Sequence, residues 1–329
     1  MRTIFVSSTF KDMQAERDAL RDICAPKINE EARKHGDEID FCDLRWGINT
    51  SDMSEEDSSL KVLDVCFSQI DRCQPPFIIL TGYRYGWIPD KETVSNAVAA
   101  HRYYLEDLEK SVTALEIEYG VCHLKQPTLV YIRNIRDESI PGIYDYEDEY
   151  HRNKLQELKE RILALGNTTV HEYTVRMENG APGKNDIQVF AAGVVEDLKA
   201  VMQKDWQAYD QMTPFDRLMR THWDYVQEKE NLFTARIEDA NTCLSALKSG
   251  KKQVVICAGD SGSGKSTLLS HVAMTLKNEG CHVLPISCGL TPEATDAYHI
   301  TDIIMNYLCK LSAQKSLDNH NLAIKDLLN

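Results

Sequence analysis

The sequence predicts an α/β protein: a five-stranded parallel, flavodoxin-like sheet flanked by helices, then a helical connector and part of a P-loop NTPase α/β domain. Short apolar runs alternate with longer helical patterns over residues 1–206, as in βαβ units. One run, FIILTG (77–82), is continuously apolar, which is typical of a strand buried on both faces. A glycine-rich phosphate-loop motif occupies residues 259–266.

Apolar runs bounded by turn residues predict the five strands at 4–8, 39–44, 77–82, 128–133 and 170–175. Helical spacing predicts a helix that follows the first strand, is bent or interrupted near Pro26 and ends at Gly36, and further helices at 59–73 and 189–206. Residues 82–111 form a long insertion, and the acidic segment 137–152 is predicted to be a surface loop.

Three domains are expected, with boundaries at 1–206, 207–245 and 246–329. In the last of these, QVVICA (253–258) and HVLPISC (282–288) are predicted strands. The sequence after them is mostly helical, and no apolar strand ending in Asp or Glu supplies a Walker-B metal ligand. We therefore expect the chain to be the N-terminal portion of a longer protein, without ATPase activity of its own.

Composition and charge argue against nucleic-acid-binding, membrane-spanning and secreted classes of protein. A formal net charge of −14 argues against a nucleic-acid-binding surface. No window approaches the roughly 18 apolar residues that span a bilayer, and the start of the chain is too polar for a signal peptide. Ten scattered cysteines without a C-x-x-C pair indicate reduced structural thiols. These features predict a cytoplasmic protein without nucleic-acid or membrane partners.

The segment GDSGSGKST fits the pattern G-x-x-x-x-G-K-[ST] between a predicted strand and a helix. Its glycines let backbone N–H groups surround phosphate oxygens, and its lysine reaches the terminal phosphates. This predicts an ATP or ADP site with Mg²⁺ held by Ser266. The predicted nucleotide-binding residues are Gly259, Gly262, Ser263, Gly264, Lys265, Ser266 and Thr267.

Glu116 has two competing interpretations. With Thr113 it forms the S/T-x-x-E spacing of a capping box, in which its carboxylate would bond a backbone N–H at the helix start. The same position lies near the mouth of the predicted sheet, where α/β folds bind ligands. One carboxylate cannot do both, so the two hypotheses exclude each other; Glu118 is a weaker candidate on another helix face.

Four segments occur in order: RTIFVSSTFKDMQAERDAL, DLRWGI, FIILTGYRYGWIP and TALEIEYGV. Together they resemble the TIR-like domain that precedes NACHT or related STAND NTPase modules, in bacterial defence proteins and in animal NACHT–WD-repeat, telomerase-associated and nephrocystin proteins. The segment THWDYVQEKENLFTARIEDANTCLSAL (221–247) resembles the connector ahead of such NTPases, whose usual F-x-G-R is F-T-A-R here (233–236). The resemblance implies an effector switched on when nucleotide exchange drives oligomerisation, with a sensor in the C-terminal part of the full-length protein.

The resemblance also implies a chemistry. Enzymatic TIR domains cleave NAD⁺ at the nicotinamide–ribose bond with a glutamate that matches Glu116. Side chains that follow the first three strands are then expected to bind the substrate, through hydroxyls, arginines and aromatic rings. They are Ser7, Ser8, Thr9, Arg45, Trp46, Tyr83 and Arg84, with Tyr85 and Trp87 beside them.

Structural alternatives remain open at each of these positions. Trp46 and Trp87 could cover the sheet edge as core residues, and Arg45 and Arg84 could form ion pairs with Asp43, Asp12 or Glu16. Arg17 and Asp18 are predicted to lie on a helix face without a functional role. The function hypotheses are therefore an NAD⁺-cleaving effector and, alternatively, a non-enzymatic oligomerisation or adaptor module.

Overall fold

The computed structural model describes residues 2–44, 55–100, 107–137, 140, 142–250 and 254–316. The chain divides into two compact units, residues 1–210 and 211–329. The first, the sheet unit, contains all the strands found in the described residues. The second, the P-loop unit, contains the phosphate-loop motif.

The sheet unit has a five-stranded, all-parallel sheet in the order β2-β1-β3-β4-β5. This is the flavodoxin-like order, so the predicted fold class is confirmed. The strands are β1 (Arg2–Ser7), β2 (Ile39–Cys42), β3 (Phe77–Thr81), β4 (Thr128–Ile135) and β5 (Thr168–Val175). A two-stranded hairpin, β6 (Met177–Glu178) and β7 (Ala181–Pro182), follows the sheet.

Helices connect the strands and continue through the second unit. Those of the sheet unit are α1 (Gln14–Ala19), α2 (Ala25–Ala32), α3 (Glu55–Arg72), α4 (Lys91–Ala100), α5 (Val112–Ile117), α6 (Glu149–Leu163) and α7 (Lys184–Asp210). Those of the P-loop unit are α8 (Pro214–Glu230), α9 (Ile237–Lys248), α10 (Lys265–Asn278) and α11 (Ala297–Ser316). The predicted helical connector therefore contains α8 and most of α9.

The core lies on both faces of the sheet, which explains why the central strand β3 is apolar from Phe77 to Leu80. Along β3, Ile78 and Leu80 pack in one cluster with residues of α2 and α7, whereas Phe77 and Ile79 pack in the other with residues of α3 and α5. Successive side chains of a strand point to opposite faces, so a strand covered by helices on both sides must be apolar throughout.

The helical segment after β1 changes its hydrogen-bond pattern next to Pro26. Residues 14–32 are continuously helical, but between α1 and α2 the chain forms a wide π-helical turn at Leu20–Cys24, and Pro26 lies in the first turn of α2. Gly36 ends the segment with φ of +64°, and a Cβ there would lie 2.4 Å from the Tyr209 ring. Only glycine fits this position.

The two predicted strands of the P-loop unit are wrong. The described residues 254–258 and 282–288 form neither strand nor helix. Val254 and Ile256 are 71% and 82% exposed, so the apolar run is not covered. An apolar run becomes a strand only when a neighbour completes its hydrogen bonds, and neither segment pairs with a strand in the described part of the chain.

Candidate functional sites

A cavity of about 830 Å³ lies at the carboxyl edge of the sheet. It is lined by residues that follow β1 and residues that follow β3, two neighbouring strands whose connections run in opposite directions along the sheet. This is the topological switch point, where parallel α/β sheets bind ligands. Its polar lining residues are Ser8, Thr9, Lys11, Gln14, Asp18, Arg84, Thr113, Glu116, Glu147 and His151.

Glu116 lines this cavity with a buried carboxyl group. The residue is 4% exposed, and its Oε2 accepts a hydrogen bond of 2.6 Å from Ser7 Oγ at the end of β1. Burial raises the pKa of the Glu116 carboxyl above its usual range, opposed by hydrogen bonds from Ser7 and Cys66 and by the charge of Arg17. A buried carboxyl with a raised pKa in a cavity is a typical functional-site group.

The capping-box interpretation of Glu116 is wrong. Ser111 is the N-cap of α5, and its Oγ accepts from the backbone N–H of Ala114 at 3.2 Å. The helix therefore begins at Val112, two residues before a Thr113 cap would start it. The shift leaves the Glu116 side chain inside the helix and able to reach Ser7, so the carboxyl group belongs to the cavity and not to the helix end.

Only some of the predicted substrate-binding residues meet at the cavity. Ser8, Thr9 and Arg84 line it, and Ser7 bonds Glu116. Tyr83 instead accepts a hydrogen bond from the backbone N–H of Ile135 at 3.2 Å. Arg45 and Trp46 lie outside the described residues.

Two aromatic rings in the cavity wall are exposed. Trp87 is 55% exposed and Phe10 is 45% exposed, and both line the cavity. The expectation that Trp87 is a core residue is therefore wrong, whereas Tyr85, 3% exposed, is buried. Exposed rings at a cavity offer flat surfaces on which a base can stack.

Glu147 and His151 complete the wall, and sequence reasoning missed both because 137–152 was predicted to be a surface loop. Glu147 accepts from the backbone N–H groups of Tyr85 and Gly86, both at 3.1 Å, and its carboxylate lies 3.2 Å from Arg84. Glu147 is thus the partner of Arg84, in place of the acids near β1 and β2 predicted for it.

Two buried arginines fix the turn after β1. Arg133, fully buried in β4, donates to the carboxylates of Asp12 at 2.9 Å and Glu16 at 3.0 Å and to the Asp12 carbonyl oxygen at 2.6 Å. Burial raises the pKa of the Asp12 carboxyl, although the Arg133 charge opposes it. Thr9 donates to Asp12 at 2.5 Å, so the network ends at the cavity wall. An arginine inside an apolar strand run was its only sequence signal.

Arg17 is the second buried arginine, and its prediction as a surface residue without a role is wrong. It is 2% exposed and donates to Ser8 Oγ at 2.7 Å and to Asp43 at 2.6 Å. The Phe10 ring covers its guanidinium at 4.8 Å. Arg17 therefore holds the strand end beside the cavity, while Asp18 lines the cavity itself.

Glu118, the weaker candidate, is as buried as Glu116 at 4% exposed, but it contacts Lys110 and Arg161. It is not among the cavity-lining residues that the structure describes. The two glutamates thus lie on one helical segment and are equally buried, but Glu116 lines the cavity whereas Glu118 pairs with Lys110 and Arg161.

The phosphate loop precedes α10 in the P-loop unit. Gly262 and Gly264 have φ of +80° and +81°, backbone conformations that favour glycine. Lys265 Nζ donates to the carbonyl oxygens of Gly259 at 2.7 Å and Asp260 at 2.6 Å. Ser266, the residue predicted to hold Mg²⁺, is exposed in the first turn of α10. These residues suit a phosphate group, because the glycines let backbone N–H groups turn towards one centre and Lys265 supplies a positive charge.

The F-T-A-R segment contacts α10 at its first residue and the phosphate loop at its last. The Phe233 ring stacks on His271 of α10 with centroids 3.9 Å apart, and the Arg236 guanidinium donates to the Ser263 carbonyl oxygen at 2.8 Å. Arg236 also pairs with Asp239 at 2.7 Å. The segment thereby joins the start of α9 to the phosphate loop.

Comparisons with known proteins identify both units. A family model described as "Domain of unknown function (DUF4062)" matches residues 3–187, more than half of the chain. The chain belongs to this family. A NACHT domain model matches residues 253–323, so a nucleotide-binding NACHT domain follows the DUF4062 domain, an arrangement of STAND-type signalling proteins.

The relatives include telomerase protein component 1 of Rattus norvegicus, 25% identical over 293 residues that cover 83% of this chain and 11% of the relative. NACHT domain- and WD repeat-containing protein 1 of Mus musculus is 30% identical over 82 residues, covering 23% of this chain and 5% of the relative. Putative tetratricopeptide repeat protein 41 of Homo sapiens is 22% identical over 252 residues, which cover 70% of this chain and 19% of the relative. The chain thus spans a small part of these relatives, and no solved structure matches it.

Two features are absent from the described residues. No group of three or more of their His, Cys, Asp or Glu side chains has the geometry of a metal site. None of the described helices has the length and apolarity that a bilayer crossing requires.

Proposed function

We propose that the DUF4062 domain is a TIR-like effector that cleaves NAD⁺ at the nicotinamide–ribose bond when the chain is clustered. The observation that carries this proposal is the Glu116 carboxyl: buried, hydrogen-bonded to Ser7, raised in pKa and facing the switch-point cavity. A cavity of about 830 Å³ is within the range of ligand pockets that hold molecules of this size.

The chemistry requires an anion beside the ribose. When nicotinamide leaves, the ribose carbon gains oxocarbenium character, and a carboxylate held in a site of low dielectric constant stabilises that charge. The positive nicotinamide ring of bound NAD⁺ would itself favour the ionised form of Glu116, offsetting the effect of burial. Glu116 could equally hold the ribose hydroxyls or orient the attacking water.

The remaining wall offers groups for the rest of the substrate. Ser8, Thr9 and Arg84 can bind phosphate oxygens, and the exposed rings of Trp87 and Phe10 can stack on a base. Arg45 and Trp46 are proposed as further contacts from the sequence alone. Glu147 positions this group, because it binds both Arg84 and the backbone that leads to Trp87.

The P-loop unit is proposed to be the switch. ATP or ADP with Mg²⁺ would bind residues 259–267, and nucleotide exchange would drive self-association through both domains in response to a C-terminal sensor. On this account the protein acts in the cytoplasm in innate immunity, or in antiphage defence.

The alternative is a non-enzymatic oligomerisation or adaptor module. One observation favours it: the bond between Glu116 and Ser7 joins α5 to β1, so the buried carboxylate also has a structural use. On this alternative the cavity is a surface for partners, and clustering produces no turnover of NAD⁺.

The test is NAD⁺ consumption by the 329-residue chain, fused to an oligomerising tag or left without one. The effector account predicts NAD⁺ loss and free nicotinamide with the clustered parent, little loss without the tag, and none with clustered Glu116→Gln. No loss with a clustered parent that remains folded would favour the adaptor alternative.

A further inference from the structure

Two thiols of the P-loop unit lie within reach of each other. Cys243 on α9 and Cys257 in the segment that leads into the phosphate loop have their Sγ atoms 3.6 Å apart. A disulfide bond is about 2.05 Å long, so the two sulfur atoms need to approach each other by about 1.5 Å to form one. Both cysteines are free thiols in this structure.

Both cysteines pack in one apolar cluster, which holds α9 next to the segment that leads into the phosphate loop. Cys243 is 9% exposed and packs in a small apolar cluster with Leu244, Leu268 and Val272, and Cys257 packs against the same cluster. Burial raises the pKa of the Cys243 thiol. Cys257 is the more accessible of the two, so an oxidant from solvent meets it first.

We propose that Cys243 and Cys257 form a reversible disulfide when the protein meets a hydroperoxide, which makes this pair an oxidative modification site. Cys257 Sγ attacks the peroxide, breaking the O–O bond to give a sulfenic acid and an alcohol or, from hydrogen peroxide, water. Cys243 Sγ then displaces the hydroxyl group, the S–S bond forms, and its proton leaves with that hydroxyl as a second water. The two thiols lose two electrons in total, and the peroxide gains them.

The position gives the disulfide a consequence for the phosphate loop. Cys257 lies two residues before Gly259, whose carbonyl oxygen accepts from Lys265. Cys243, the other cysteine, lies on α9. This helix begins next to Arg236, whose guanidinium donates to the Ser263 carbonyl oxygen. The bond therefore adds a covalent tie to contacts that already join α9 to the phosphate loop, and it stabilises this arrangement against unfolding.

The test is hydrogen peroxide titration of the folded 329-residue chain, followed by alkylation of the remaining thiols and peptide mapping by mass spectrometry. The proposal predicts a Cys243–Cys257 linked peptide, protection of both thiols from alkylation, and recovery of both after reduction. It also predicts a higher urea midpoint for the P-loop unit after oxidation. Both thiols remaining open to alkylation, or other cysteine pairs linking to the same extent, would overturn the proposal.

Single-cysteine variants separate the proposed steps. Cys243→Ser should leave a sulfenic acid on Cys257 that a carbon nucleophile traps, with no change of the urea midpoint. Cys257→Ser should leave Cys243 reduced at the same peroxide dose. If Cys243 oxidises as fast in Cys257→Ser as in the parent chain, the order of attack is wrong and the pair does not act as proposed.

Discussion

The cavity of the sheet unit and the phosphate loop of the P-loop unit are built from different parts of the chain. At the sheet edge, side chains make the site, and those that fix it are almost fully buried: Glu116 is 4% exposed, Arg17 is 2% exposed and Arg133 is not exposed at all. In the phosphate loop, the backbone makes the site, and Lys265 bonds two carbonyl oxygens of its own loop. If the two proposed sites bind their ligands, we expect stability and binding to be coupled at the first site and separable at the second.

Arg133→Met tests the stabilising part of that expectation and has the largest expected effect. The substitution leaves the carboxylates of Asp12 and Glu16 buried without their cation, so we expect a loss of about 3–5 kcal/mol in the free energy of unfolding. Urea unfolding of the sheet unit measures it. A loss below about 1 kcal/mol would mean that the network contributes little to the turn after β1.

Lys265→Ala tests the separability of the phosphate loop. The exposed hydrogen bonds that it removes should change the free energy of unfolding by less than about 0.5 kcal/mol. Loss of the lysine that we propose reaches the terminal phosphates should weaken ATP binding about 10-fold or more, close to 1.4 kcal/mol. Isothermal titration with ATP and Mg²⁺ measures the affinity, and unchanged binding would contradict the assignment of the loop.

The pH dependence of stability isolates Glu116. Its folded pKa is raised, so the folded state holds a proton that the unfolded state has released; stability is full below the ordinary pKa of about 4.5 and falls as pH rises through the raised value. Each tenfold difference in proton affinity between the folded and unfolded states corresponds to about 1.4 kcal/mol of unfolding free energy.

Glu116→Gln should lack this fall, while keeping the contribution of Asp12, whose carboxyl is also raised in pKa. Unfolding curves of parent and variant across the pH range should therefore diverge above pH ~4.5. Parallel curves would show that Glu116 titrates in the folded protein as it does in the unfolded chain.

Arg236→Ala is expected to have a small effect, and on stability alone. Its exposed pair with Asp239 and its bond to the Ser263 carbonyl oxygen are worth about 0.2–1 kcal/mol together. Thermal unfolding measures the change. A loss as large as that expected for Arg133→Met would show that side chains fix the phosphate loop as they fix the sheet edge.

The centre of the sheet could be predicted from the sequence because its inner strands are largely buried and leave apolar runs; β3, predicted at 77–82, spans Phe77–Thr81. The approximate place of the site could also be predicted, since the turns after β1 and β3 carry Thr9 and Arg84. The place of Glu147 in the site could not be predicted, because its contacts form only when its loop folds back onto the turn after β3.

Errors arose where local patterns compete or need distant partners. Ser111 and Thr113 both suit a helix cap, and in the structure Ser111 is the cap while Glu116 accepts a hydrogen bond from Ser7, far away in the chain. The burial of Arg133 depends on acids more than 100 positions away in the chain. The exposed run at Val254 and Ile256 shows the same dependence, because it has no strand neighbour among the described residues.

The measurement that tests the central claim most directly compares Glu116→Gln with Glu118→Gln, two variants at equally buried positions on one helical segment. Nicotinamide release from NAD⁺ is followed with each protein clustered by the same tag, after thermal unfolding has shown that both are folded. The account predicts release by the parent and by Glu118→Gln, and none by Glu116→Gln. Equal release by all three, or equal loss in both variants, would contradict a catalytic Glu116.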